Sequence, residues 1–259
     1  MTPAERLLQA LGVTEPSEID LEAIAYDAGA RIRYRPLEGC EACIVGNTKA
    51  AIISINQQSS ARRKRFSIAH ELGHWCHHRG HALVCRVDDF QPRNALAPER
   101  IADAYAADLL MPRYLFDPAI SKHEKLTLKV VGALSEQFDT SFTATVIRAV
   151  EGSYFPAFAI CHTSAGRKWF ARSSMVPARW FPSADLDPDS LAFDVLHANK
   201  PDNVIPRKIG ADAWFDQQGA GDFEIYEQTC RTGADEIVTL LLITDGDMLD
   251  EEDYRPYRR

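Results

Sequence analysis

The 259-residue chain has few cysteines, no long apolar run and no excess of positive charge, and each absence removes a class. The six cysteines, Cys40, Cys43, Cys76, Cys85, Cys161 and Cys230, are too sparse for a disulfide framework. The start, Met1 to Leu8, has no apolar core of signal-peptide length, so free thiols and a cytoplasmic location are expected. The longest apolar stretch, Ile237 to Ile243, is far too short to span a bilayer. Lys and Arg number 29 against 37 Asp and Glu, a formal net charge of −8. That offers nucleic acid no electrostatic footprint and favours neutral or basic partners. What remains is an ordinary globular composition, long enough for one large domain or two moderate ones.

Against that plain background stands His70-Glu71-Leu72-Gly73-His74, an H-E-x-x-H sequence. On a helix, positions four apart share a face, so His70 and His74 can grip one metal ion. Glu71 follows the first histidine, where its carboxylate can reach a metal-bound water rather than the metal. That is the arrangement of a zinc hydrolase, with Glu71 as base. The run from Ala61 to His78 holds no proline and one glycine, Gly73, placed where a helix normally avoids it. Close approach of another backbone or of substrate would explain that glycine. The plain alternative is a polar amphipathic helix that happens to carry two histidines. His77, His78 and His81 at the helix end suit its dipole and need no further role.

A catalytic zinc needs a third protein ligand and one open position. Pro98 to Met111 reads as a second helix, begun by Pro98 and stopped by Pro112, with Ile101, Ala102, Tyr105, Ala106 and Leu109 on a buried face. Glu99 and Asp103 lie four apart on another face. The economical assignment makes Glu99 the third ligand and Asp103 the acceptor for the non-ligating nitrogen of a zinc histidine, His70 first. Exchanged roles, with Asp103 as ligand, stay open, and so does a solvated face for both acids.

Arg65-Phe66-Ser67-Ile68-Ala69-His70-Glu71-Leu72-Gly73-His74 and the later Glu99-x-x-Ala102-Asp103-x-Tyr105-Ala106-Ala107-x-Leu109-Leu110-Met111-Pro112 together resemble the ImmA/IrrE metallo-endopeptidases. The match is close over residues 62–112 and looser over about 1–151. The resemblance implies a gluzincin-type zinc site of His70, His74 and Glu99 with Glu71 as base. It implies a cytoplasmic regulatory protease whose substrate is a helix-turn-helix repressor encoded nearby. Tyr105 stands where the family usually has Phe, and either packing or an oxyanion-donating hydroxyl would account for it.

The expected fold class is α+β. Residues 1–151 would be a zincin-like helical peptidase domain with a small β-sheet, and 152–259 a mixed, strand-rich C-terminal domain. In the first, helices are expected at 3–11 and 18–28, a strand at 31–34, and a strand pair, 42–45 and 50–55, around Gly46-Asn47. Residues 127–151 have the spacing of a helix-turn-helix, but their charges cancel, so a structural helical hairpin is favoured over DNA binding. Arg62 to Arg65 reads as a solvated cluster, with docking of an acidic substrate segment as the sharper idea. Cys40 and Cys43 form a C-x-x-C without the second pair that a zinc knuckle needs. In the C-terminal domain, strands are expected at 155–161, 168–172, 223–230 and 236–244, a loop-rich stretch with five prolines between them, and a disordered or lid-like tail from Asp245. Trp169, Trp180 and Trp214 read as core. A sensor or docking role for this domain follows only from its attachment to a protease. Two other classes stay open: a toxin neutralised by a helix-turn-helix partner, and a non-catalytic regulator with structural zinc.

Overall fold

A computed structural model describes residues 1–77, 83–86 and 97–250, of which 83–86 and 97 are described by backbone alone. The fold is α+β and falls into two compact units, residues 1–122 with 133–144, and residues 123–132 with 145–259.

The first unit opens with helix α1 (Pro3–Ala10), whose cap is reciprocal: the Thr2 hydroxyl accepts from Glu5 N and the Glu5 carboxylate accepts from Thr2 N. The other oxygen of the buried Glu5 accepts from Arg113 N, which fastens the start of α5 (Arg113–Ile120) to α1. Helix α2 (Leu21–Asp27) is capped by Asp20 and ends at Gly29, which turns into strand β1 (Ala30–Arg35) with φ +85°, a conformation glycine adopts without strain. Strands β2 (Cys40–Gly46), β3 (Ala51–Asn56) and β4 (Leu83–Arg86) complete a sheet in the order β1-β3-β2-β4, with β1 parallel to β3 and the other pairs antiparallel.

The register puts Ala42, Ile44, Ile53 and Ile55 on one face. They are buried in one core with Ile68, Ala69 and Leu72 of α3 (Ala61–His77) and with Tyr105, Ala106 and Leu109 of α4 (Ala97–Leu110). Each fully buried Leu or Ile contributes about 1.5–3 kcal/mol, so this face fixes α3 firmly. Gly73 marks the crossing of α3 on α4: a Cβ there would lie 2.8 Å from Ala102 Cα and 3.0 Å from Ala102 O. The expected close approach of another backbone is therefore present. Helices α6 (Leu128–Gln137) and α7 (Phe142–Glu151) follow, with Asp139 in the turn at φ +48°.

The second unit holds an antiparallel sheet in the order β6-β5-β9-β8-β7, made by β5 (Ala157–Thr163), β6 (Gly166–Arg172), β7 (Asn203–Gly210), β8 (Glu224–Gly233) and β9 (Glu236–Leu242). The expected central strand, β9, lies between β5 and β8, and all three tryptophans are buried. Two expectations are corrected. The proline-punctuated stretch is not only loop: it contains α8 (Leu191–His197), capped by Ser190, and strand β7. Pro206 is tolerated there because β7 is an edge strand with an irregular register between Asn203 and Arg207. The tail is not loose from Asp245 onward. It forms α9 (Gly246–Leu249), buries Met248, and offers the Met248 carbonyl to Trp180 Nε1 at 2.8 Å; the end of the tail, 251–259, lies outside the described residues.

Candidate metal centre

Nine consecutive residues of α3, Ser67 to Trp75, are buried, so both faces of its middle are committed to packing. This burial forces the polar members of the run, His70, Glu71 and His74, to meet partners inside the protein. The 3.6-residue period stacks His70 and His74, whose rings meet edge to face at 4.6 Å between centroids. Helix α4 crosses at Gly73 and brings Glu99 against both histidines.

Three acceptor-capable atoms converge. His70 Nε2 and His74 Nε2 are 3.0 Å apart, and Glu99 Oε2 is 3.1 Å from the first and 3.3 Å from the second. Asp103 lies on the far side of the His70 ring, with Oδ1 2.9 Å from Nδ1. A carboxylate only accepts, so Nδ1 carries a hydrogen, and in the neutral ring Nε2 turns its lone pair toward Glu99. Burial disfavours charge on His70, yet Asp103, with Glu71 and Glu99 close by, holds its pKa above the ordinary value. Such a cluster of lone pairs is stable only around a proton or a cation. The donor set, two imidazoles and one carboxylate, suits zinc, and ligand atoms around tetrahedral zinc are about 3.3–3.6 Å apart. The observed spacing is within a few tenths of an ångström of that. Among the described residues this is the group of His, Cys, Asp and Glu whose atoms could hold a metal.

The family model of the IrrE N-terminal-like domain, Peptidase_M78, matches residues 25–149. Residues 25–149 are therefore an ImmA/IrrE-type domain. That domain supports metallopeptidase-type chemistry in a regulatory setting. No curated protein matches the chain. The solved structure of a Mycobacterium tuberculosis transcriptional regulator has a similar fold, with a TM-score of 0.61 at 14% identity over 92% of this chain and 74% of that one.

The other expected site residues of the ImmA/IrrE domain fall as follows. Tyr105 is buried against Gly73, and its hydroxyl accepts from Cys76 Sγ at 3.4 Å, while its ring meets His77 edge to face. Those contacts engage it in the packing of α3 on α4. His77 Nδ1 donates to Gly73 O, one turn back, and His78 and His81 lie outside the described residues. Cys40, Cys43 and Cys76 are free thiols, and burial, then the neighbouring Cys43 and Glu71, push the Cys40 thiol up, away from the thiolate a metal would need. The side chain of Cys85 lies outside the described residues.

The arginine cluster at the start of α3 is not a solvated patch. Arg62 meets Glu136 at 2.7 Å and Asp139 at 3.4 Å, Arg65 meets Asp139 at 3.3 Å, and Arg63 approaches Glu41 at 3.7 Å. Left-handed Asp139 thus turns a carboxylate to two arginines of the helix that carries the histidines. Sequence spacing gave no signal for this, because the partners are more than 70 residues apart. Among the described residues no helix is long and apolar enough to cross a membrane.

Proposed function

We propose that this chain is a zinc-dependent endopeptidase that makes a site-specific regulatory cut in a helix-turn-helix repressor. The observation that carries the reading is the triangle of His70 Nε2, His74 Nε2 and Glu99 Oε2, with the fully buried Glu71 next to His70 in the chain. His70, His74 and Glu99 would hold the metal, and Asp103 would fix the His70 ring and raise its basicity. When bound, zinc supplies Lewis acidity and a water acidic enough to ionise near neutral pH. Glu71 takes a proton from the attacking water and delivers it to the leaving amine, so one carboxylate serves both as base and as acid. Three protein donors leave a coordination position for water, whereas a purely structural site is closed by four, and this favours catalysis over a structural metal. Tyr105 stays a candidate oxyanion donor, because its hydroxyl accepts from Cys76 Sγ and keeps its own hydrogen to donate.

The reading of a repressor substrate is supported by the IrrE N-terminal-like domain match and by a similar fold in a protein named as a transcriptional regulator. On this reading residues 1–151 carry the peptidase chemistry and 152–259 a sensing or docking role. The test compares wild type with Glu71→Gln for zinc content and for cleavage of helix-turn-helix repressors, starting with any encoded alongside. One zinc in each and cleavage by wild type alone is expected, with loss of about 10²–10⁴ in rate for the variant. Zinc in both without cleavage by either would shift weight to a toxin held in check by its helix-turn-helix partner. A chain that takes up no zinc would overturn the site.

A further inference from the structure

The outer face of the first sheet carries a stripe of arginine that the metal centre does not use. Along β1, Arg31, Arg33 and Arg35 are all exposed and share one face, opposite to Ala30, whose strand neighbours form the core. The parallel register sets them beside Ile52, Ser54 and Asn56 of β3, and the next strand adds Val45 beside Ile52. Ile52 is 41% exposed and Val45 57% exposed, so two apolar side chains lie open at one end of the stripe.

Two things separate this stripe from an ordinary solvated face. The first is charge. Carboxylates outnumber cations in this chain, and the arginines of α3 have found them, yet none of Arg31, Arg33 and Arg35 makes an ion pair among the described residues. Arg31 has only the ring of Tyr26, 5.2 Å from its guanidinium carbon. The second is the backbone. Among the described residues β1 is an edge of its sheet and pairs with β3 alone. Gly29 O accepts from Ala51 N and Arg35 O accepts from Gln57 N. By the alternation of a parallel ladder, the odd-numbered residues therefore turn their amides and carbonyls toward β3, and Ile32 and Tyr34 turn theirs to the open edge. Charge repeats on this face every two residues, about 6.6 Å, the repeat of an extended strand.

We infer that the β1 edge docks an extended acidic segment of a protein partner, with Asp or Glu at alternate positions. The segment adds as a strand beside Ile32 and Tyr34, and its carboxylates lie across from Arg31, Arg33 and Arg35, where opposite charges on neighbouring strands attract. The formal charge of the whole chain favours neutral or basic partners, and this stripe is the local exception. The inference rests on the reading of the chain as one that acts on another protein, but its test involves no cleavage, so either can fail alone.

The experiment uses the full chain and a labelled ten-residue peptide alternating Glu with Thr. Fluorescence anisotropy should show salt-sensitive binding, lost with the Gln-for-Glu peptide. Binding should weaken roughly tenfold in Arg31→Gln/Arg33→Gln/Arg35→Gln, with zinc content unchanged. Amide exchange should slow at Ile32 and Tyr34 when the peptide is bound, and methylation of alternate peptide nitrogens should abolish binding. Equal binding by the variant, or no change at Ile32 and Tyr34, overturns the inference. Preference for a single-stranded oligonucleotide over the peptide would also overturn it, in favour of phosphate. So would a triple variant that self-associates while wild type binds no peptide, since the arginines would then serve only to keep the edge unpaired.

Discussion

Glu227 of the second unit and Glu99 of the first are both buried carboxylates, and the two are treated in opposite ways. In the second unit Glu227 is fully buried and surrounded by donors: Ala192 N at 2.7 Å, Trp214 Nε1 at 3.1 Å, Leu191 N at 3.3 Å and the Thr229 hydroxyl at 3.4 Å. Burial pushes its pKa up, and those donors pull it back. In the first unit Glu99 meets two imidazole nitrogens, at least one of which presents a lone pair. The buried histidines differ in the same sense. His70 has an acid behind it, whereas His162, edge to face with Trp214, is pushed down to about 4 by burial and by Arg167. Burial alone therefore does not mark a site. Acceptors facing donors make a fastening, and acceptors facing acceptors make a place for a cation.

That contrast can be broken from either side. The largest effect is expected for Glu227→Ala, which strands two backbone amides and the Trp214 indole without an acceptor. The loss is on the order of 3 kcal/mol, at a penalty of about 1–3 kcal/mol per unsatisfied group, and calorimetry should show it as a fall in Tm with zinc content unaltered. Next comes Asp103→Ala, which should weaken metal affinity about 10–100-fold in a chelator competition while leaving the Tm of the metal-free chain nearly in place. Gly73→Ala forces a methyl group onto Ala102. It should destabilise by about 1–3 kcal/mol and also lower metal affinity, because α4 carries Glu99 and Asp103 with it.

The last is a pH dependence, carried by one buried histidine. The His162 pKa is depressed in the folded state, to about 4, against about 6.5 in an unfolded chain. Below about pH 6.5 the unfolded chain gains a proton that the native one refuses. Stability from this group is thus complete above that value, declines as pH falls toward about 4, and is flat beneath it. The difference in urea midpoint between wild type and His162→Gln, followed from pH 7 to 4, should trace that decline. A constant difference would mean that His162 does not titrate in this way.

Much of the first unit was legible in the sequence because its signals are local. The period of α3 and α4, Pro98 and Pro112 at the ends of the latter, Gly29 after α2 and the Gly46-Asn47 turn each act within a few residues. The pairing of His70 with Asp103 was also readable, since helix faces fix who can meet. The rest depends on tertiary context. Arg62 and Arg65 looked solvated because Glu136 and Asp139 become neighbours only after folding. Strand β7 was hidden by Pro206, which an edge strand accepts and a central one would not. Helix α8 is seven residues long, too short for periodicity to declare itself, and its amides at Leu191 and Ala192 are satisfied by Glu227 from a distant strand.

The crossing at Gly73 has a consequence for how such chains diverge. Donor atoms from two helices are spaced by a backbone contact between those helices, not by the stretch of chain that joins them. An insertion between the two helices, outside β4, would carry little penalty to the metal, because the closure of a longer connection grows only logarithmically in free energy. A census of relatives by the interval between the last histidine and the glutamate would then scatter widely. One that asked for a small residue at the crossing, and an alanine opposite it, would gather them together.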